Sequence, residues 1–209
     1  MSAAASPALG APDSWVAPLA RAIPAIVAGI AITFSQDHSA PLGVTAFGLF
    51  AVVTAAVVLA SALRADRALR GITWVHGIVT AVAGIAALVL PERTLGVFVL
   101  LVSAWAIITG ALDVVNGIRF RRTRPIARDW LVAGSLTVIL GLVFLLFPKD
   151  YADPFAIEEK GEVVASGVVT ADVSLVGVFG AWAFIIGALF AIAAVSLRTV
   201  RPEPVEVDA

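Results

Sequence analysis

Gly77-Ile78-Val79-Thr80-Ala81-Val82-Ala83-Gly84-Ile85-Ala86-Ala87-Leu88-Val89-Leu90, the polar step Pro91-Glu92-Arg93-Thr94, and a second apolar run from Leu95 to Gly117 decide how this chain is read. The stretch reads as one apolar helix, a turn, and a second apolar helix with small residues at heptad spacing. Extended back to Ile72, the first run has 19 residues, and the second has 23, so each can cross about 30 Å of hydrocarbon, which takes roughly 20 helical residues. The same pattern recurs on both sides of this hairpin.

Composition agrees with a lipid setting. Of 209 residues, 60% are hydrophobic and 14% charged, and the mean hydropathy is +1.01. A soluble domain is closer to half apolar and a quarter charged, so much of this apolar surface is expected to face lipid. The net charge of −1 gives no case for nucleic acid. The absence of cysteine excludes disulfides, thiolate metal sites and cysteine nucleophiles.

The pattern predicts an all-α, polytopic membrane protein with six transmembrane helices, over 17–35, 42–63, 72–90, 94–118, 130–147 and 172–197. Together they form one transmembrane domain over 15–198. Residues 1–14 read as a disordered tail, 148–171 as an outer loop and 199–209 as a cytoplasmic tail. No Lys or Arg precedes Arg21, so the basic start of a secretory signal is missing. The first span is the least regular. Either residues 14–21 form an interfacial turn anchored by Trp15, or they join the span with Arg21 snorkelling to the headgroups. A span of 17–35, kinked near Pro24, is the preferred reading. Of the 14 Lys and Arg, 11 fall at the two terminal flanks and in the second and fourth loops. The positive-inside rule then puts both termini in the cytoplasm.

Gly77, Thr80, Gly84 and Pro91 reappear 57 residues later as Gly134, Thr137, Gly141 and Pro148. Ala104-Trp105-Ala106 and Gly110-Ala111-Leu112 reappear 77 residues later as Ala181-Trp182-Ala183 and Gly187-Ala188-Leu189. Gly29-Ile30-Ala31 answers Gly84-Ile85-Ala86. The build is therefore three tandem helical hairpins of parallel topology. Apolar helices gain little from the hydrophobic effect on meeting in lipid, so small residues that admit close backbone contact hold them together. Gly77, Gly84, Ser103, Ala106, Gly110, Gly117, Gly134, Gly141, Gly180, Ala183 and Gly187 are the expected packing seam, and a dimer face is the alternative.

An apolar helix ending in Leu90-Pro91-Glu92, then Trp105, Gly110 and a second Trp-led copy resemble the HdeD-type short-repeat family of small bacterial inner-membrane proteins. The likeness is best over 72–148, extends over 172–197 and fades over 15–70. It implies a six-helix fold, the inner membrane and a role in acid or stress tolerance. It supplies no catalytic residues.

Asp113 is the one acidic side chain expected inside a span. Thr109, Asp113 and Asn116 share a helix face, and His76 should lie about 6 Å away in depth, from a rise of 1.5 Å per residue. His76, Thr109, Asp113 and Asn116 form a candidate polar cluster, with His76 and Asp113 as a proton-sensitive latch. The alternatives are that both reach the interface, or that Asp113 pairs with Arg119 or Arg122 at the helix end. In the outer loop, two β-prone runs flanking Ser166-Gly167 suggest a hairpin cap. No phosphate loop, nucleophile elbow or metal spacing is present. The sequence thus predicts a non-enzymatic membrane protein with no catalytic, cofactor or metal site. Its expected partners are the bilayer and either further copies or a membrane complex. An accessory subunit of such a complex and a small transporter are the competing functions.

Overall fold

The computed structural model describes residues 15–159 and 162–199. The tails expected at 1–14 and 199–209 lie outside them apart from Thr199, as does Lys160. Among the described residues six helices follow the apolar runs: α1 (Val16–Thr33), α2 (Ala40–Arg64), α3 (Arg67–Val89), α4 (Leu95–Phe120), α5 (Ala127–Leu146) and α6 (Ala171–Thr199). All six are long and apolar enough to cross a membrane. They make the chain a multi-pass membrane protein.

The helix boundaries have local causes. Leu90 is in extended conformation before Pro91 and closes α3, and the Thr94 hydroxyl accepts from the Val97 N–H to cap α4. Arg93, in the same turn, donates to the Thr45 hydroxyl of α2 at 2.7 Å. Helix α3 starts at Arg67, five residues before the expected span, because Asp66 caps it by accepting from the Ala68 and Leu69 N–H groups. Partial burial works against ionisation of Asp66. Hydrogen bonds from Leu69 and Ala68 and the Arg124 guanidinium outweigh it and hold the carboxyl below its ordinary value. Helix α1 runs through Pro24. The lost N–H there leaves the Ala20 carbonyl without its α-helical donor.

Two faces separate cleanly on α3. Val75, Ile78, Val82, Ile85 and Val89, at alternating steps of three and four, are exposed where lipid would lie. His76, Gly77, Thr80, Gly84 and Ala87 are buried on the other side.

The tightest packing does not follow the turns of the repeat. Gly110 of α4 meets α5: a Cβ added there would lie 2.8 Å from the Gly134 carbonyl oxygen and 2.8 Å from the Val138 nitrogen. Gly117 likewise meets Leu131 and Ala127, and Gly141 meets Ile107 and Ser103. On α3, Gly84 lies against Ala51 and Val52 of α2 and Gly77 against Leu59. On α6, Gly187 lies against Ile26 and Ala22 of α1, and Gly180 against Ile32. The close antiparallel pairs are thus α2–α3, α4–α5 and α1–α6. The hairpin read from the repeat is a unit of sequence, whereas backbones touch between one unit and the next. Contact with α1 closes α6 back onto the start of the chain. Of the expected seam, Ser103, Ala106 and Ala183 are also buried.

Helices α2, α4 and α6 carry the centre. Phe50, Trp105 and Trp182 stand at equivalent places in the three units and meet edge to face as a closed triangle. Their ring centroids are 5.7 Å (Phe50–Trp105), 5.5 Å (Trp105–Trp182) and 5.8 Å (Phe50–Trp182) apart. Phe47, Phe98, Phe144 and Phe179 extend the stack.

The loop after α5 forms a two-stranded antiparallel hairpin, β1 (Ala152–Glu159) and β2 (Glu162–Thr170). Its strands correct the expected one. Both β-prone runs belong to β2, and Ser166-Gly167 pairs mid-strand with Ala156 and Phe155. The Phe155 ring lies where a Cβ on Gly167 would be, at 2.9 Å. The glycine makes room for the aromatic cross-strand neighbour instead of turning the chain.

Candidate functional site

Asp113 is buried on α4, two helical turns from the Arg-rich end of the bundle. Arg21 of α1 reaches it with Nη2 3.0 Å from Oδ2. His76 of α3 faces the other oxygen, with Nδ1 3.4 Å from Oδ1, an ion-pair distance that is long for a hydrogen bond. The expected His76–Asp113 proximity is present. Arg21 is the correction: it turns inward to the carboxylate, neither snorkelling nor sitting in an interfacial turn, and it takes the place proposed for Arg119 or Arg122. A guanidinium within a membrane bundle is costly unless paired. Asp113 supplies the pair, and the Phe190 ring, 4.4 Å from the guanidinium carbon, covers its face.

Hydroxyls surround the triad and are mostly turned to backbone. Thr80 donates to the His76 carbonyl at 2.8 Å and accepts from the Trp105 indole N–H at 3.2 Å. Thr109 donates to the Trp105 carbonyl at 2.7 Å, and Thr137 to that of Ala133 at 2.7 Å. Asn116 is buried, but it does not line the cavity that the rest of the cluster faces, and its Oδ1 has no protein donor. The predicted cluster therefore comes together as His76, Thr109 and Asp113, with Asn116 apart.

These side chains ring a small cavity with about 30 Å³ open to the centre of a water molecule. Arg21, Thr54, His76, Thr109, Asp113 and Thr137 give its polar wall, and the aromatic triangle of Phe50, Trp105 and Trp182 borders it. Among the described residues, three buried atoms on lining side chains have no protein partner: Arg21 Nε, Thr54 Oγ1 and Trp182 Nε1. Among the described residues no three His, Cys, Asp or Glu side chains gather as a metal would require.

Repeat register explains the convergence. Arg21, His76 and Ala133 stand at one repeat position on α1, α3 and α5, and Val58, Asp113 and Phe190 at one on α2, α4 and α6. Equivalent positions face the common centre at one depth, so an Arg and a His placed there both meet an Asp on the inner helix. Residues 75–146 match the family model of a short repeat of unknown function (DUF308). This DUF308 match runs from α3 into the last turn of α5 and covers His76 and Asp113 but not Arg21. It falls within the stretch, 72–148, where the short-repeat likeness is strongest. No curated protein and no solved structure matches the chain.

Proposed function

We propose that the chain is a non-enzymatic protein of the bacterial inner membrane, with both termini cytoplasmic, that serves acid or stress tolerance. The HdeD-type resemblance supports the role, and the eight arginines from 64 to 70 and from 119 to 128, against Arg93 and Lys149 at the other end, support the orientation. One observation carries the mechanism: an imidazole 3.4 Å from a buried carboxylate that an arginine also holds. A charged group at this depth costs roughly 2.5–3.5 kcal/mol on insertion scales and marks a working site by default. Histidine is the side chain that gains charge between neutral and acid pH. Protonation of His76 strengthens its hold on Asp113 and locks α3 to α4.

Acid survival of cells lacking the native protein tests this, on complementation with wild type or with His76→Gln. The variant is expected to reach the membrane in normal amounts and to lose protection. Survival equal to wild type would sink the latch. A second reading, an accessory subunit of a membrane complex, is favoured by the exposed Phe155, Ile157, Val163, Val164 and Val168 of the β-hairpin. Gentle extraction followed by mass measurement separates a lone chain or homo-oligomer from a hetero-complex.

A further inference from the structure

We propose that the central cavity binds one small monovalent anion, of which chloride is the simplest, and that the anion enters together with a proton. The inference rests on the reading of His76 as a proton acceptor and adds a ligand to that site.

The donors come first. Trp182 and Thr54 are only 8% and 5% exposed, both line the cavity, and neither Trp182 Nε1 nor Thr54 Oγ1 has a protein partner. Arg21 borders the same space, and its Nε has the same lack. An indole N–H and a guanidinium N–H can only donate. A buried donor without an acceptor is costly, so the space that these three side chains border calls for an acceptor. The equivalent indole, Trp105, needs nothing more, because Thr80 accepts from it. Thr137 stands at the matching repeat position and donates to the Ala133 carbonyl as Thr80 does to that of His76, yet no bond runs to it from Trp182 Nε1.

Size comes second. About 30 Å³ open to water centres is room for roughly two waters. A monatomic anion fits, whereas sulfate and phosphate do not.

Charge sets the condition. Arg21 and Asp113 cancel, and a neutral His76 leaves the cluster neutral. Among the described residues no other charged or titratable side chain lines the cavity: α2 brings Phe50 and Thr54, α5 brings Ala133 and Thr137, and α6 brings Trp182, Ile186 and Phe190. An anion entering then would leave one uncompensated negative charge at low dielectric, beside the Asp113 carboxylate that repels it. One proton on His76 turns the cluster to +1, and an anion restores neutrality. By reciprocity, chloride must then favour protonation as much as protonation favours chloride.

The test uses the full chain in nanodiscs of zwitterionic lipid, with thermal unfolding followed in sodium chloride and in sodium gluconate at one ionic strength. A ligand that binds only the folded state raises the midpoint. Chloride is expected to raise it over gluconate near about pH 5 and not near about pH 8. Trp182→Phe keeps the ring and removes the donor, and Thr54→Val removes the hydroxyl. Each is expected to weaken the chloride effect by roughly tenfold in concentration, and if one variant does not fold the other decides. Equal midpoints in the two salts at the lower pH would overturn the proposal. So would an equal chloride effect at both pH values, or one that survives the foldable variants. Since the readout is binding by purified protein, its failure is distinguishable from failure of the acid-survival role.

Discussion

At the scale of single residues, the site depends on which polar atoms are satisfied inside a lipid-facing bundle. Trp105 and Trp182 occupy equivalent places, yet among the described residues only Trp105 has an acceptor, the Thr80 hydroxyl. Thr80→Val keeps the shape and strands the Trp105 N–H. A loss of about 1–3 kcal/mol is expected, read as a lower unfolding midpoint in detergent, and no loss would mean that the bond is idle. The Asp113 half of this site was legible in the sequence. An acid inside an apolar helix is rare enough to stand out, and counting from the turn brought His76 to its depth. Arg21 was not. It stands six residues into α1, where a long basic side chain ordinarily escapes to the headgroups. Only its repeat register with His76 signals that it points inward, and α1 is the helix in which the repeat is most worn.

At the scale of elements, glycine position decides which helices touch. A Cβ on Gly110 would lie 2.8 Å from backbone on α5, so Gly110→Leu must push α4 from α5, at about 1–3 kcal/mol. Gly177 has nothing within 4 Å, and Gly177→Ala is expected to stabilise by roughly 0.5–1 kcal/mol through helix propensity. Unfolding of the two variants side by side checks the contrast, and equal effects would contradict the packing. Asp66 works through its capping bonds to α3 and its pair with Arg124. Asp66→Ala should cost about 1 kcal/mol near neutral pH. The sign with pH follows from the lowered carboxyl: the contribution is present above the ordinary value of about 3.9 and is lost as pH falls through the folded-state value beneath it. Wild type and variant should therefore converge in strong acid. Helix number was legible because apolar runs of this length have few other uses. The strand register was not, because Ser-Gly signals a turn locally while the Phe155 ring, from the other strand, decides its place.

At the scale of the molecule, three units close into one bundle because α6 packs on α1 as α4 packs on α5 and α2 on α3. The chain has no cysteine, so paired cysteines report this closure without background. An ideal Cβ at residue 29 lies 2.9 Å from the Phe184 Cβ, and a disulfide takes roughly 3.5–4.5 Å. The same Cβ lies 2.8 Å from the Phe184 backbone nitrogen, so α1 and α6 must part by more than half an ångström, after which Gly29→Cys/Phe184→Cys should oxidise within one chain. A control with the second cysteine at Ile139, on the exposed face of α5, should not. The repeat offsets were legible, but the closure was not, since each seam reads the same whichever neighbour it meets.

The central claim is that Arg21 and Asp113, far apart in sequence, share one buried charge balance. A double-mutant cycle of Arg21→Gln and Asp113→Asn, read as stability in nanodiscs, tests it most directly. Each single change leaves a buried charge unpaired and is expected to cost roughly 3–5 kcal/mol, while the double change removes both charges and should recover much of that loss. Losses that simply add would contradict the account.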